Sequence, residues 1–129
     1  PERIAIDLPT LPERAARVAE LLADQHAQGH AWGEMAVLCR HHDEMESCAD
    51  ALRRKNLPYR LRKRSGDFRP EEDSIKVMTM HASKGLEWPV VAVVTSDEER
   101  KARDVKKDGA LEARLVYVAS TRSTEKIIF

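Results

Sequence analysis

Apolar residues along this chain fall into two kinds of run. Met35–Cys39 (MAVLC) and residues 75–80 and 90–94 are short and almost uninterrupted, the pattern of strands covered on both faces. Residues 4–8 and 126–129 are shorter candidates for a first and a last strand, and Leu57-Pro58-Tyr59 leads into another. Between these runs the apolar positions recur three or four apart, as on one side of a helix. Leu11, Ala15, Val18 and Leu22 form one such stripe, Met45, Cys48, Ala49 and Leu52 a second, and Leu111, Leu115 and Val118 a third. Thr10 followed by Glu13 forms a capping box for the first helix, which should end near Gln28-Gly29. Asp43 and Glu46 are candidate caps for the second helix, which should stop near Asn56. Residues 62–73 (RKRSGDFRPEED) are charged, carry Gly66 and Pro70, and read as a loop. Residues 97–108 read as an exposed loop or frayed helix. Strands alternating with helices imply an α/β fold with a parallel sheet.

The polar residues gather in one place along this pattern. Residues 77–91 (VMTMHASKGLEWPVV) run as strand, polar turn and strand, with the second strand expected after Pro89. In open α/β sheets ligands bind at the carboxyl ends of strands, so the polar groups of this turn are expected at one such edge. The order Thr79-x-His81-x-x-Lys84-Gly85-Leu86-Glu87 is far more specific than a lone Lys-Gly pair. A second segment, residues 112–123 (EARLVYVASTRS), carries a helical stripe out to Arg122. A planar, permanently charged guanidinium there suits bidentate contact with phosphate oxygens. Taken alone, Arg122 also fits a surface residue closing a helix C-terminus, where the dipole favours cations.

Composition narrows the function classes. With 22 basic and 22 acidic residues in 129, the formal net charge is zero, which argues against a purely electrostatic nucleic-acid binder. Apolar residues at 42% and charged residues at 34% fit one domain with a real core and a charged surface. No apolar run approaches the roughly 20 residues of a membrane span. Cys39 and Cys48 are expected as buried thiols, as in a reducing compartment. The first residues, Pro1-Glu2-Arg3, hold no start Met and no signal-peptide core, so the chain reads as a piece of something longer. The cluster Cys39-Arg40-His41-His42-Asp43 suggests a metal, but neighbours at a strand end diverge and no second ligand pair is evident, so no metal site is expected. Residues 60–64 (RLRKR) suit either a phosphate backbone or a solvated edge. Trp32 and Trp88 could stack on bases, with packing expected for Trp88.

Together the two polar segments resemble motifs V and VI of the UvrD/Rep/PcrA family of superfamily-one DNA helicases. Residues 35–40 (MAVLCR) are similar to that family's "AVLyR" strand, and Leu57-Pro58-Tyr59 to its "IPY" segment, so the resemblance covers nearly the whole chain. It implies a three-layer RecA-like parallel sheet flanked by helices, P-loop NTPase-like but without a Walker A loop. Residues 1–129 would form the C-terminal motor domain, 2A, with the loop at 62–74 standing where larger members insert a helical domain, 2B. The resemblance also implies roles. Arg122 would be the arginine finger to the γ-phosphate and Glu87 the ribose contact, with Gly85 in the same nucleotide-binding loop. Thr79, His81 and Lys84 would meet the DNA backbone, with Lys84 open to either ligand. Glu112 and Arg114 would be interface or supporting residues. On the residues alone, His81 could equally cap the loop and Glu112 merely begin a helix.

The cofactor implied is ATP with Mg2+, held mainly by the N-terminal RecA-like domain of the same polypeptide, and the partner is single-stranded DNA, in the cytoplasm. This chain has no G-x-x-x-x-G-K-[ST] and no acidic pair for magnesium, so it would supply half of an ATP site and no ATPase activity alone. Movement along DNA in the family is 3′-to-5′. Two other classes stay open: a degenerate helicase-like interaction module and an RNA-directed helicase.

Overall fold

The structure is a computed structural model that describes residues 2–106 and 109–129, without the side chains of residues 65 and 102–106. Six strands are present among these residues: β1 (Glu2–Ile4), β2 (Met35–Cys39), β3 (Tyr59–Arg62), β4 (Ile75–Thr79), β5 (Trp88–Val94) and β6 (Ser123–Ile128). Four α-helices join them: α1 (Leu11–Ala27), α2 (His42–Arg54), α3 (Asp97–Lys106) and α4 (Gly109–Arg122). The strands form one sheet in the order β1-β6-β5-β2-β4-β3, and every neighbouring pair is parallel. The expected α/β parallel architecture is what forms.

β2 lies inside the sheet with all five residues buried, paired through Val37 with Val77 of β4 and with Ala92 of β5. Its side chains alternate between two cores, as the twofold period of a strand requires. Met35, Val37 and Cys39 face a core built with α1 and α2, where Val18 and Leu22 meet Met45, Cys48 and Leu52. Ala36 and Leu38 face a second core, shared with Leu115 and Ala119 of α4 and with Phe68, Met80 and Leu86 from two irregular connections. One face of the sheet is thus covered by two long helices, the other by α4 and non-helical chain.

Local chemistry explains most boundaries. Thr10 caps α1, its hydroxyl accepting from Glu13 N–H and donating to the Glu13 carboxylate at 2.7 Å. The side chain of Glu13 therefore closes the box on the hydroxyl. β1 lies earlier than the expected residues 4–8 and meets them only at Ile4; beyond it Ile6 N–H donates to Phe129 C=O at 3.1 Å, and Leu8 C=O accepts from Arg14 Nη1 at 3.0 Å. α2 begins at His42 with His41 as N-cap, so Asp43 lies within the first turn and Glu46 beyond it, paired with Lys63; neither is the cap. Asn56 ends the helix region at φ 57, a left-handed conformation that asparagine tolerates. Pro89 lies inside β5, not before it, at a register shift between Trp88 and Val90 where the missing N–H is accommodated. Residues 97–106 are helical, while residues 107–108 of the expected loop lie outside the described residues. In α4 the buried positions are Leu115 and Ala119, and Val118 is only half-buried, because the stripe continues at the four-residue step.

Glu44, in the first turn of α2, points inward and is 2% exposed. Burial, above all, pushes its carboxyl above the ordinary 4.5, with Glu99 nearby adding to the shift. The folded state then holds this proton more tightly than the unfolded chain, so the group favours folding at low pH and loses that contribution as pH rises through the folded value. In chelator-treated buffer, wild type should therefore lose stability relative to Glu44→Gln as pH rises from about 4 to about 7, read from urea melts along that range. A stability difference that does not change with pH would contradict the burial effect.

Candidate functional site

The polar turn leaves β4 at its carboxyl end and must re-enter the sheet at the amino end of β5, on the far side of β2. Along the strands that return covers roughly 20 Å, and it is made by residues 80–87 without a helix. The polar groups are therefore not gathered at one edge. Thr79 and His81 lie at the carboxyl edge of the sheet, whereas Glu87 stands just before Trp88 at the amino edge. Trp88 pairs with Ser123, so Glu87 and Arg122, each one residue earlier, flank adjacent strand starts. The fold brings these two together from positions far apart in sequence, and no ion pair joins them.

The start of the turn is tightly organised. Met80 N–H donates to Cys39 C=O at 2.8 Å, tying the turn to the end of β2. The Thr79 hydroxyl accepts from Ala82 N–H at 3.1 Å, and Ser83 Oγ donates to Met80 C=O at 2.6 Å. Arg62, at the end of β3, donates to Ala82 C=O at 2.9 Å and lies over the Phe68 ring. Thr79 thus holds the turn in shape, with its hydroxyl hydrogen available to an outside acceptor. His81 and Lys84 are exposed on the outer side of the turn. Gly85 has φ +82, and a Cβ there would meet nothing within 4 Å. Conformation, not a close approach within the chain, calls for glycine at this position.

Arg122 ends α4 and is half-buried. Its Nε donates to Ser83 Oγ at 3.2 Å and its Nη1 to Thr121 Oγ1 at 2.8 Å. Arg14 and Arg40, by contrast, meet the carboxylates of Asp97 and Glu99. Arg122 is oriented by two neutral hydroxyls, and no carboxylate among the described residues neutralises it. Ser83, fully buried, is the residue that links motif to motif. Sequence reasoning misses this role, because nothing local to the turn shows that residue 122 comes to it.

Glu87 is exposed at the mouth of a cavity of about 250 Å³, which Gly33, Phe68, Lys76, Leu86 and Trp88 also line. Lys76, 2% exposed, projects from β4, and its ammonium donates to Glu72 C=O, Ser74 C=O and Ser74 Oγ at 2.6 to 3.0 Å. Desolvation lowers its pKa. These bonds hold the end of the connection between β3 and β4 against the sheet. A lysine inside an apolar strand run gives no sign of this at the level of sequence.

Other candidates are absorbed by packing. Trp88 is buried, as expected, and Trp32 stacks on His26 with ring centroids 3.7 Å apart. Arg60 pairs with Glu72 and Lys63 with Glu46, so the basic stretch is largely an internally paired edge. Glu112 pairs with Arg3 at 3.0 Å, and Arg114 is exposed. Cys39 and Cys48 are buried free thiols; the Cys39 thiol is pushed well above its ordinary pKa by its bond to Cys48 and by burial. No helix among the described residues is long and apolar enough to cross a membrane.

Known proteins resemble this chain in sequence and in fold. An ATP-dependent helicase/nuclease subunit from Listeria monocytogenes (serotype 4a, strain HCC23) is 40% identical over 58 residues, which is 45% of this chain and 5% of that protein. The ATP-dependent DNA helicase Rep of Escherichia coli K12 is 37% identical over 67 residues, 50% of this chain and 10% of Rep. The chain thus spans a small fraction of these relatives. The crystal structure of the C-terminal domain of a possible DNA helicase from Lactobacillus plantarum WCFS1 matches with a TM-score of 0.69 at 20% identity, over 99% of this chain and 71% of that one, a likeness of fold. The model of the UvrD-like helicase C-terminal domain matches residues 61–129, from the end of β3 through both polar segments to the last residue, and the chain belongs to that family.

Proposed function

We propose that this chain acts as the second motor domain of an ATP-dependent DNA helicase, with Arg122 as its arginine finger. The observation that carries this reading is the guanidinium of Arg122, held by Ser83 and Thr121 hydroxyls with no carboxylate partner among the described residues. Such a group is positioned in advance and its charge is uncompensated, as stabilising charge on a transferred phosphoryl group requires. Glu87, on the adjacent strand start, is placed to accept hydrogen bonds from ribose hydroxyls, with Gly85 shaping the approach of the loop.

ATP with Mg2+ fits this edge only in part. Among the described residues no cluster of metal ligands includes Glu87 or lies beside Arg122. The metal and most phosphate contacts therefore fall to the N-terminal RecA-like domain of the same polypeptide. Bound between the two domains, the nucleotide supplies the bond whose hydrolysis drives the motor. On this side, Arg122 orients towards phosphate and Glu87 holds the sugar. Thr79, His81 and Lys84, at the carboxyl edge of β4, suit hydrogen bonds to the phosphates of single-stranded DNA without reading bases. Movement in the 3′-to-5′ sense belongs to the same reading.

In the full-length protein Arg122→Ala should lower ATP turnover about a thousandfold, while nucleotide binding changes far less. Turnover within about threefold of wild type would remove Arg122 from catalysis. Residues 1–129 alone should show no ATP turnover above background.

The DNA contacts have their own readout. Lys84→Ala should weaken single-stranded DNA binding uniformly across sequences and reduce the slope of log affinity against log salt by about 0.7. An unchanged slope would place Lys84 off the nucleic acid, and stronger stimulation of turnover by RNA than by DNA would overturn the choice of DNA.

A further inference from the structure

Three ligating side chains meet on the molecule away from Arg122 and Glu87. His41 is the N-cap of α2, Glu44 lies in the first turn of that helix, and Glu99 lies in the first turn of α3. One imidazole nitrogen and two carboxylate oxygens from these residues lie within 4.8 Å of one another. β2 and β5 are in-register neighbours, with Cys39 opposite Val94, so the helices that follow them begin side by side at the carboxyl edge of the sheet. The fold, not sequence proximity, supplies Glu99 to the other two.

Glu44 gives this cluster its meaning. Its side chain is 2% exposed, and Oε1 has no hydrogen-bond partner among the described residues. A buried carboxylate oxygen left without a partner is costly, and a cation or a proton relieves that cost. Glu99 is held in place: Oε1 accepts from Ser96 N–H and Oε2 from Arg40 Nη1, both at 3.2 Å. Each oxygen has a second lone pair, so both contacts can persist while one oxygen also ligates. His41 is exposed and can turn its ring towards the carboxylates. Cys39 lies below, and its thiol stays protonated through its bond to Cys48, its burial and the two nearby carboxylates, so it is a neighbour of the cluster and not a thiolate ligand.

We propose that His41, Glu44 and Glu99 form a binding site for one divalent transition-metal ion of the Zn2+ class. One imidazole with two carboxylates is a donor set suited to Zn2+ or Mn2+, and the nitrogen ligand disfavours Mg2+ and Ca2+. Metal–ligand bonds of about 2.0–2.2 Å require ligand atoms about 3–3.5 Å apart, so the three groups would draw in from the 4.8 Å within which they now lie. The helix N-termini and Arg40 oppose a cation here, and the two carboxylates offset them. The ion would tie the start of α2 to the start of α3, fixing the entry to the segment that leads to α4 and Arg122.

Zinc titration of the full-length protein by calorimetry, in excess Mg2+ and without nucleotide, tests this. One equivalent of Zn2+ should bind saturably and raise the melting temperature. His41→Ala and Glu44→Gln should each weaken binding roughly tenfold or more, while the exposed neighbour variant His42→Ala should leave it unchanged. His41 is on the surface, so its variant keeps the test valid if Glu44→Gln folds poorly. Absence of saturable binding, or equal affinity in wild type and both ligand variants, would overturn the site.

Discussion

Parallel strands cannot be joined directly; after each one the chain must return to the edge where it began. Elsewhere in this fold a helix usually makes that return. Between β4 and β5 it is made by residues 80–87 alone, across the face of β2. The second core depends on this crossing, because Met80 and Leu86 fill space on a face where α4 is the helix in contact. So does the placement of the polar residues. A helical crossover would have separated them by several turns, whereas this short one puts Thr79 at one edge of the sheet and Glu87 at the other within eight positions.

The same crossing decides what Arg122 can do. Folded proteins usually set a carboxylate against a guanidinium drawn out of solvent, as Asp97 meets Nη2 of the buried Arg14 at 2.8 Å here. Such a pair fixes the side chain but removes its charge from use. Hydroxyls fix it and leave the charge. Ser83 can serve because the turn seals it from solvent and satisfies its own hydrogen through Met80 C=O. Arg62 and Cys39 in turn hold the backbone that carries Ser83. The orientation of one arginine therefore draws on the ends of β2 and β3, elements remote from it in sequence.

Much of this is legible in the residues, for identifiable reasons. Uninterrupted runs such as MAVLC mark buried strands because parallel sheets are covered on both faces, and Thr10 with Glu13 marks a helix start because the cap is local chemistry. What stays hidden depends on pairing across the sheet. The turn reads as a single-edge ligand loop until the strand order shows β2 lying between β4 and β5. Val118 looks like a core position and is not, since a three- or four-residue step alone cannot choose between it and Ala119. Lys76 reads as a break in an apolar run, yet its ammonium is fully bonded to the chain that precedes its own strand. The approach of Glu99 to His41 and Glu44 is likewise a product of β2 pairing with β5.

The two edges of the sheet are mechanically joined at Ser83. Its backbone N–H bonds to Thr79 C=O and Met80 C=O, at the carboxyl end of β4, while its hydroxyl accepts from Arg122. A phosphoryl group that drew the guanidinium of Arg122 away would release the Ser83 hydroxyl, and the turn would lose one of the side chains that fixes its shape. Thr79, His81 and Lys84 all belong to that turn or border it, so on the proposed reading their positions would respond to the same release. On the proposed reading, one hydrogen bond and one turn would connect a nucleotide at the amino edge with a strand of DNA at the carboxyl edge. A hydrogen bond from a charged donor contributes about 1.5–3 kcal/mol, small enough to break in each cycle and large enough to bias which arrangement the turn prefers.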